Sequence, residues 1–173
     1  MKALFLDRDG VINVENEGGY ILRQEDFEFL PGVPEAMAIL RKYFDLFLVV
    51  TNQRCVGRQL ISAEDLEAMH QQMVREIEGQ GGRIDRVYYA PALERDDPYR
   101  KPKTGMGAQA LKDFPKIDLS RSAIVGNNLS DMQFGKSLGL QTVFLSTTSG
   151  TYNLPHDLID RQFSSLLEYA LSL

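Results

Sequence analysis

Cysteine is nearly absent: Cys55 is the only one in 173 residues. No internal disulfide can form, and a cysteine-rich zinc site is excluded. Histidine is almost as scarce. His70 falls in an amphipathic helical pattern and His156 in a C-terminal loop, and neither has a metal-ligating partner at helical spacing. No apolar run approaches the ~20 residues that cross a bilayer, so no membrane partner is expected. The N-terminal apolar run is short and ends in charges, unlike a secretory signal. Positive charge is in deficit, with a formal net charge of −5. That argues against nucleic acid as the main partner and leaves an anionic small substrate open, because local charge decides the latter. No repeat, low-complexity tract or apolar surface stripe stands out. The expectation is a cytoplasmic, monomeric protein whose residues 1–173 form one domain.

What is present is ordinary in bulk, with 43% apolar and 25% charged residues, and ordered along the chain. Short apolar runs at Lys2–Leu6, Leu46–Val50, Arg86–Ala90, Ser122–Val125 and Gln141–Leu145 are rich in Val, Ile, Phe and Tyr and predict buried strands. Between them lie helical patterns. Pro34–Tyr43 follows a Pro-Gly start. Ser62–Glu78 opens on Ser62 and Asp65, a capping-box-like start. Gly105–Phe114, Leu129–Leu138 and Phe163–Leu171 complete the set. Alternation of this kind predicts an α/β fold, a central parallel sheet with helices on both faces. Ligands of such sheets bind beyond the carboxyl ends of the strands.

The strand ends carry polar groups. The first run stops at Asp7-Arg8-Asp9-Gly10 and the second at Thr51-Asn52-Gln53. A proline-marked loop after the third reaches Arg100-Lys101-Pro102, and the fourth ends at Gly126-Asn127-Asn128 with Asp131 beyond. Two carboxylates one residue apart are costly unless a cation or a reacting group lies between them. A calcium loop fails as the explanation, since glycine stands at its fourth position and Gly18 at its twelfth. Carboxylates, a hydroxyl, a lysine and an amide on one sheet edge suit a phosphoryl group and a divalent cation.

FLDRDG, VVTN, RKP and VGNNLSD, in that order, resemble the four motifs of the haloacid dehalogenase (HAD) superfamily of phosphatases. With GGY, FLPGV, IDRVYYAP and RKPKTGM, the chain resembles the D-glycero-D-manno-heptose 1,7-bisphosphate phosphatases within it, and also the related histidinol-phosphate phosphatases. The resemblance implies a Rossmann-like HAD fold and a Mg2+-dependent phosphomonoesterase acting on a small phosphorylated metabolite. It implies Asp7 as nucleophile, Asp9 as general acid and base, Thr51 as a phosphoryl-oxygen donor and Lys101 as a fixed positive charge. Asp7, the Asp9 carbonyl, Asn127 and Asp131 are its candidate Mg2+ ligands, Asp131 alternatively supporting Lys101. Asn52, Gln53, Arg54, Arg100 and Tyr20 are candidate substrate contacts, with Arg58 weaker.

The chain departs from the family pattern in three places. Asn127 stands where most relatives have Asp, which predicts weaker metal binding. Ala90, Ala92, Asp97 and Tyr99 stand where many heptose-bisphosphate phosphatases carry a Cys-x-His…Cys-x-Cys zinc loop, so no zinc is expected. Val11 replaces a common Thr. The intervals between motifs leave no room for a large cap domain, only a flap over Val14–Leu30 hinged by Gly18 and Gly19. Two readings of other classes compete. A receiver-type module would need its acceptor Asp at the end of the third strand, where Ala90-Pro91 stands. A binding-only relative would follow if Asn127 had ended catalysis.

Overall fold

The computed structural model describes residues 1–173. Six strands, β1 (Ala3–Leu6), β2 (Leu46–Asn52), β3 (Arg86–Ala90), β4 (Ala123–Gly126), β5 (Gln141–Leu145) and β6 (Arg161–Phe163), form one sheet in the order β3-β2-β1-β4-β5-β6. Every pair is parallel. The helices are α1 (Val33–Leu40), α2 (Arg54–Gly57), α3 (Ala63–Gly79), α4 (Gly105–Asp113), α5 (Leu129–Leu138) and α6 (Leu166–Leu171).

β1 shows why the sheet is covered on both sides. Its side chains alternate between faces. Leu4 and Leu6 pack with Met37 and Leu40 of α1, Met73 and Ile77 of α3, and Tyr169 of α6. Ala3 and Phe5 pack instead with Met106 and Ala110 of α4 and with Met132 and Phe134 of α5. All four β1 residues are fully buried. Burying a Leu or Phe this completely contributes roughly 1.5–3 kcal/mol, which is why a short run of four can anchor the sheet.

The order of strands reverses at β1. The chain leaves it toward β2 and β3, then returns to its other side for β4, β5 and β6. That switch lies between β1 and β4, and the carboxyl ends of β1, β2 and β4 meet there.

Five expected strands are present with small shifts: β1 begins one residue later, β2 runs on through Thr51-Asn52, and β4 is moved one residue toward Gly126. Two elements differ. β6 takes Phe163 from the expected final helix, which starts only at Leu166 behind the N-cap Ser165. α2 is a single turn directly after β2 that no sequence pattern marked, with Cys55 buried in it.

The flap leaves Asn13 and returns at Phe29 through an antiparallel bridge. Val14 N–H donates to Glu28 O at 2.8 Å, and Leu30 N–H to Ile12 O at 3.0 Å. Its Ile21 packs with Cys55, Ile61, Leu66 and Met69, so one side of the flap is tied to α2 and α3.

Candidate active site

Asp7 follows the last residue of β1, and its N–H still donates to Val125 O at 3.0 Å. Asp7 Oδ1 forms an ion pair with Lys101 Nζ at 2.9 Å and accepts from Arg8 N–H at 2.8 Å. Lys101 Nζ also meets Asp131 Oδ1 at 2.6 Å. One ammonium thus serves two carboxylates, and Lys101 and Asp131 are both buried. Burial pushes the Asp7 carboxyl up, the Asp131 charge adds to this, and Lys101 offsets only part, so its pKa rises to about 7. Burial disfavours the charged form of Lys101, but Asp131 and Asp7 outweigh it and hold its pKa above the ordinary lysine value.

Asp9 has a separate set of partners. Arg8 Nη2 and Nε donate to its Oδ1 at 2.8 and 3.2 Å, and Asn13 Nδ2 donates to the same oxygen at 2.9 Å. Gln53 Nε2 donates to Oδ2 at 2.9 Å. Burial would raise the Asp9 carboxyl, but the Arg8 charge and these hydrogen bonds together hold it below the usual carboxylate range. Gly10 then turns the chain at φ +78°, and a Cβ there would stand 2.0 Å from Asn127 Nδ2. Only glycine fits both the backbone and the space.

Asn127, at the end of β4, is buried. Its Nδ2 donates to Thr148 Oγ1 at 2.6 Å and to Glu15 Oε2, from the flap, at 2.9 Å. Its Oδ1 is buried without a hydrogen-bond partner. An unpartnered buried carbonyl oxygen is costly and suits a hard cation. No group of three His, Cys, Asp or Glu side chains could hold a metal ion. A cation here would rely on the Asp7 carboxylate, the Asp9 main-chain carbonyl and the Asn127 amide oxygen. Asp131 has both oxygens engaged, Oδ1 by Lys101 and Oδ2 by the Asn128 N–H at 3.1 Å, which fits support of the lysine better than coordination.

The remaining candidates divide between scaffold and mouth. Thr51 is buried, and its Oγ1 accepts from Gln53 Nε2 at 2.9 Å. Gln53 is itself buried, so its side chain joins Thr51 to Asp9 rather than facing outward. Asn52 clamps the lysine loop: its Oδ1 accepts from Lys101 N–H at 2.9 Å and its Nδ2 donates to Lys101 O at 3.1 Å. Tyr20, Asn52 and Gln53 line a cleft of about 130 Å3 with Arg8, Asp9 and Glu15. A groove of about 630 Å3 lies elsewhere, between α3 and β3. Arg100 is anchored by Nη1 to Leu93 O at 2.6 Å. Desolvation and then the Arg54 and Arg95 charges hold its pKa below the ordinary arginine value, with Tyr20 and Glu94 acting the other way. Arg58 lies over the Tyr20 ring at 5.6 Å. The sequence reading missed Arg95, Glu15, Asn13, Thr148 and the role of Arg8. Of these only Arg8 carried a signal, as a cation set between two acids at a buried strand end.

Residues 2–166 match the family model described as polynucleotide kinase 3 phosphatase. The chain is similar to the D-glycero-alpha-D-manno-heptose-1,7-bisphosphate 7-phosphatase of Campylobacter jejuni, at 38% identity over 144 residues that cover 83% of this chain and 81% of that protein. It is similar to the D-glycero-beta-D-manno-heptose-1,7-bisphosphate 7-phosphatase of Vibrio cholerae, at 37% identity over 154 residues, 84% of this chain and 81% of that protein. Among solved structures, the D,D-heptose 1,7-bisphosphate phosphatase of B. bronchiseptica, complexed with magnesium and phosphate, superposes with a TM-score of 0.88 at 28% identity, covering 99% and 97% of the two chains.

Proposed function

The chain belongs to the HAD-type family of heptose-1,7-bisphosphate phosphatases, and from that premise we propose that it hydrolyses a phosphate monoester of a small sugar. The leading substrate is D-glycero-D-manno-heptose 1,7-bisphosphate, cut at the 7-phosphate as in the names of its relatives. The observation that carries this reading is the Asp7–Lys101–Asp131 chain at the strand switch, with Asp9 beside it on its own partners.

The chemistry follows from these groups. An Asp7 carboxylate oxygen attacks phosphorus in line with the ester oxygen, and the phosphorus–oxygen bond to the sugar breaks. Asp9, held as a carboxylate by Arg8, Asn13 and Gln53 in the free fold, must take up a proton as the dianionic substrate binds, and gives it to the departing alkoxide. Water then attacks the aspartyl-phosphate while Asp9 takes its proton, and inorganic phosphate leaves with Asp7 restored. Lys101 reduces the repulsion between Asp7 and the incoming phosphoryl oxygens, and Asp131 keeps Lys101 in place. Mg2+ held by Asp7, the Asp9 carbonyl and Asn127 Oδ1 would neutralise phosphoryl charge when bound.

The mouth supports a substrate with two anionic ends. Arg54 and Arg95 add positive charge at Arg100, next in sequence to Lys101, in a protein whose net charge is −5. A second phosphate is the group that would use them. The proposal extends to a monomer that works in the cytoplasm with no structural zinc. No helix is long and apolar enough to cross a membrane.

The test is phosphate release with Mg2+ from the heptose bisphosphate and from the matching monophosphate. Turnover should favour the bisphosphate, Arg100→Ala should reduce that preference, and Asp7→Asn should abolish release from both. Equal rates for Asp7→Asn and the native chain would end the enzyme reading. Equal rates for the two sugars would end the bisphosphate assignment.

A further inference from the structure

The chemistry above leaves one buried polar group unused. His70, on α3, is 5% exposed, and its Nε2 lies 3.1 Å from Arg8 Nη1. Arg8 is 1% exposed and directs Nη2 and Nε at Asp9 Oδ1. A buried guanidinium must have its donors met, and the nitrogen that does not reach Asp9, Nη1, meets the histidine. A guanidinium has no acceptor, so Nε2 takes the proton-accepting role and the ring is neutral. Burial, followed by the Arg8 charge, pushes the His70 pKa down to about 3, in keeping with that assignment.

We infer that His70 is a positioning residue for the phosphatase reaction: by accepting from Arg8 it fixes the guanidinium that holds Asp9 for proton transfer. The Asp9 carboxylate is oriented from three sides, by Asn13, Gln53 and Arg8. Asn13 and Gln53 leave the loops next to the site, whereas Arg8 is braced from a separate helix. Without the histidine acceptor, Arg8 would bury an unmet donor and would move to find another. Asp9 would follow, because two of its hydrogen bonds come from that one side chain.

The inference rests on the phosphatase reading, and the test separates the two. His70→Phe keeps a ring of similar size and removes the acceptor. His70→Gln places an amide oxygen near the position of Nε2. A groove of about 630 Å3 borders the ring, with Glu67, Val74 and Tyr89 among its walls, so either side chain has room. The readout is kcat/KM, which covers steps through transfer to Asp7, for a sugar phosphate and for 4-nitrophenyl phosphate. The sugar alkoxide needs a proton to leave, and 4-nitrophenolate does not.

His70→Phe should lower kcat/KM for the sugar phosphate about tenfold, a fraction of the usual contribution of general acid catalysis, and leave the aryl phosphate within about twofold. His70→Gln should restore most of the loss. An unchanged sugar-phosphate rate in His70→Phe, an equal fall with both substrates, or a His70→Gln variant as slow as His70→Phe would each overturn the positioning role. A native chain that hydrolyses neither substrate would overturn the phosphatase reading itself.

Discussion

At the scale of single residues, the amide of Asn127 brings one negative charge fewer to a cation than the Asp of the family pattern. Glu15, on the flap, brings a carboxylate to the Asn127 amide. Its Oε2 accepts from Asn127 Nδ2 at 2.9 Å and, with Thr148 Oγ1, fixes which end of the amide is the acceptor left free. Glu15→Gln should therefore weaken Mg2+ binding by about threefold to tenfold, the range for a nearby but non-ligating charge. Asn127→Asp alone would set a carboxylate against Glu15 and lose the hydrogen bond to it, so its gain in affinity should be small. The double variant Glu15→Gln, Asn127→Asp should bind more tightly than either single one. Calorimetric titration of Mg2+ into the four proteins measures this, and additive effects would show that the two side chains act independently. Asn127 was legible as a departure because its motif is contiguous. Glu15 was not, because its contact spans 112 positions and the flap has no periodicity to point it inward. Asn52 and Gln53 were found as candidate contacts, but their scaffold partners were not: the bonds to the lysine loop and to Asp9 span 49 and 44 positions.

At the scale of elements, stability and chemistry separate. α3 begins at Ser62, whose Oγ accepts from Asp65 N–H at 3.0 Å and donates to the Asp65 carboxylate at 2.8 Å. Ser62→Ala should cost about 1 kcal/mol, the usual loss for an N-cap, with kcat unchanged. A denaturant titration beside a steady-state assay checks both. The loop between β3 and α4 lacks the family's zinc ligands and closes on its own hydrogen bonds. Tyr99 N–H donates to Asp97 Oδ1 at 2.8 Å, Arg100 Nη1 to Leu93 O at 2.6 Å, and Gly105 N–H to Pro98 O at 2.9 Å. A strong zinc chelator should leave the melting temperature unchanged in calorimetry, and a fall of several degrees would reveal a metal in the loop. The strands β1, β2 and β4 were readable because their residues are buried on both faces, and β3 and β5 because their runs are rich in aromatic and β-branched residues. β6 was not: Arg161–Phe163 is three half-buried residues at the sheet edge, next to a helix that continues the apolar pattern. The single turn of α2 is too short for any period to register.

At the scale of the whole molecule, the same buried charges couple stability, pH and metal. Burial and then the Asp131 charge push the Asp7 carboxyl up to about 7, against an ordinary value of 3.8. The fold binds the proton more tightly than the unfolded chain, so this group's contribution to stability is complete below about pH 4 and is lost as pH rises through about 7. Mg2+ has the opposite requirement. It needs the Asp7 carboxylate, so below about pH 7 its binding must expel the proton. Mg2+ should then raise the melting temperature more at about pH 8 than at about pH 6, because less of its binding energy is spent on deprotonation and more is linked to the fold. At about pH 6, Mg2+ titrations in buffers of different ionisation enthalpy should report close to one proton released per ion. Asp7→Asn has no proton to lose and should remove both the proton release and the pH dependence of the shift. A stabilisation by Mg2+ that stays constant across that range in the native chain would place the ion away from Asp7. The strand switch would then have to tolerate Asp7 and Asp131 on the Lys101 charge alone.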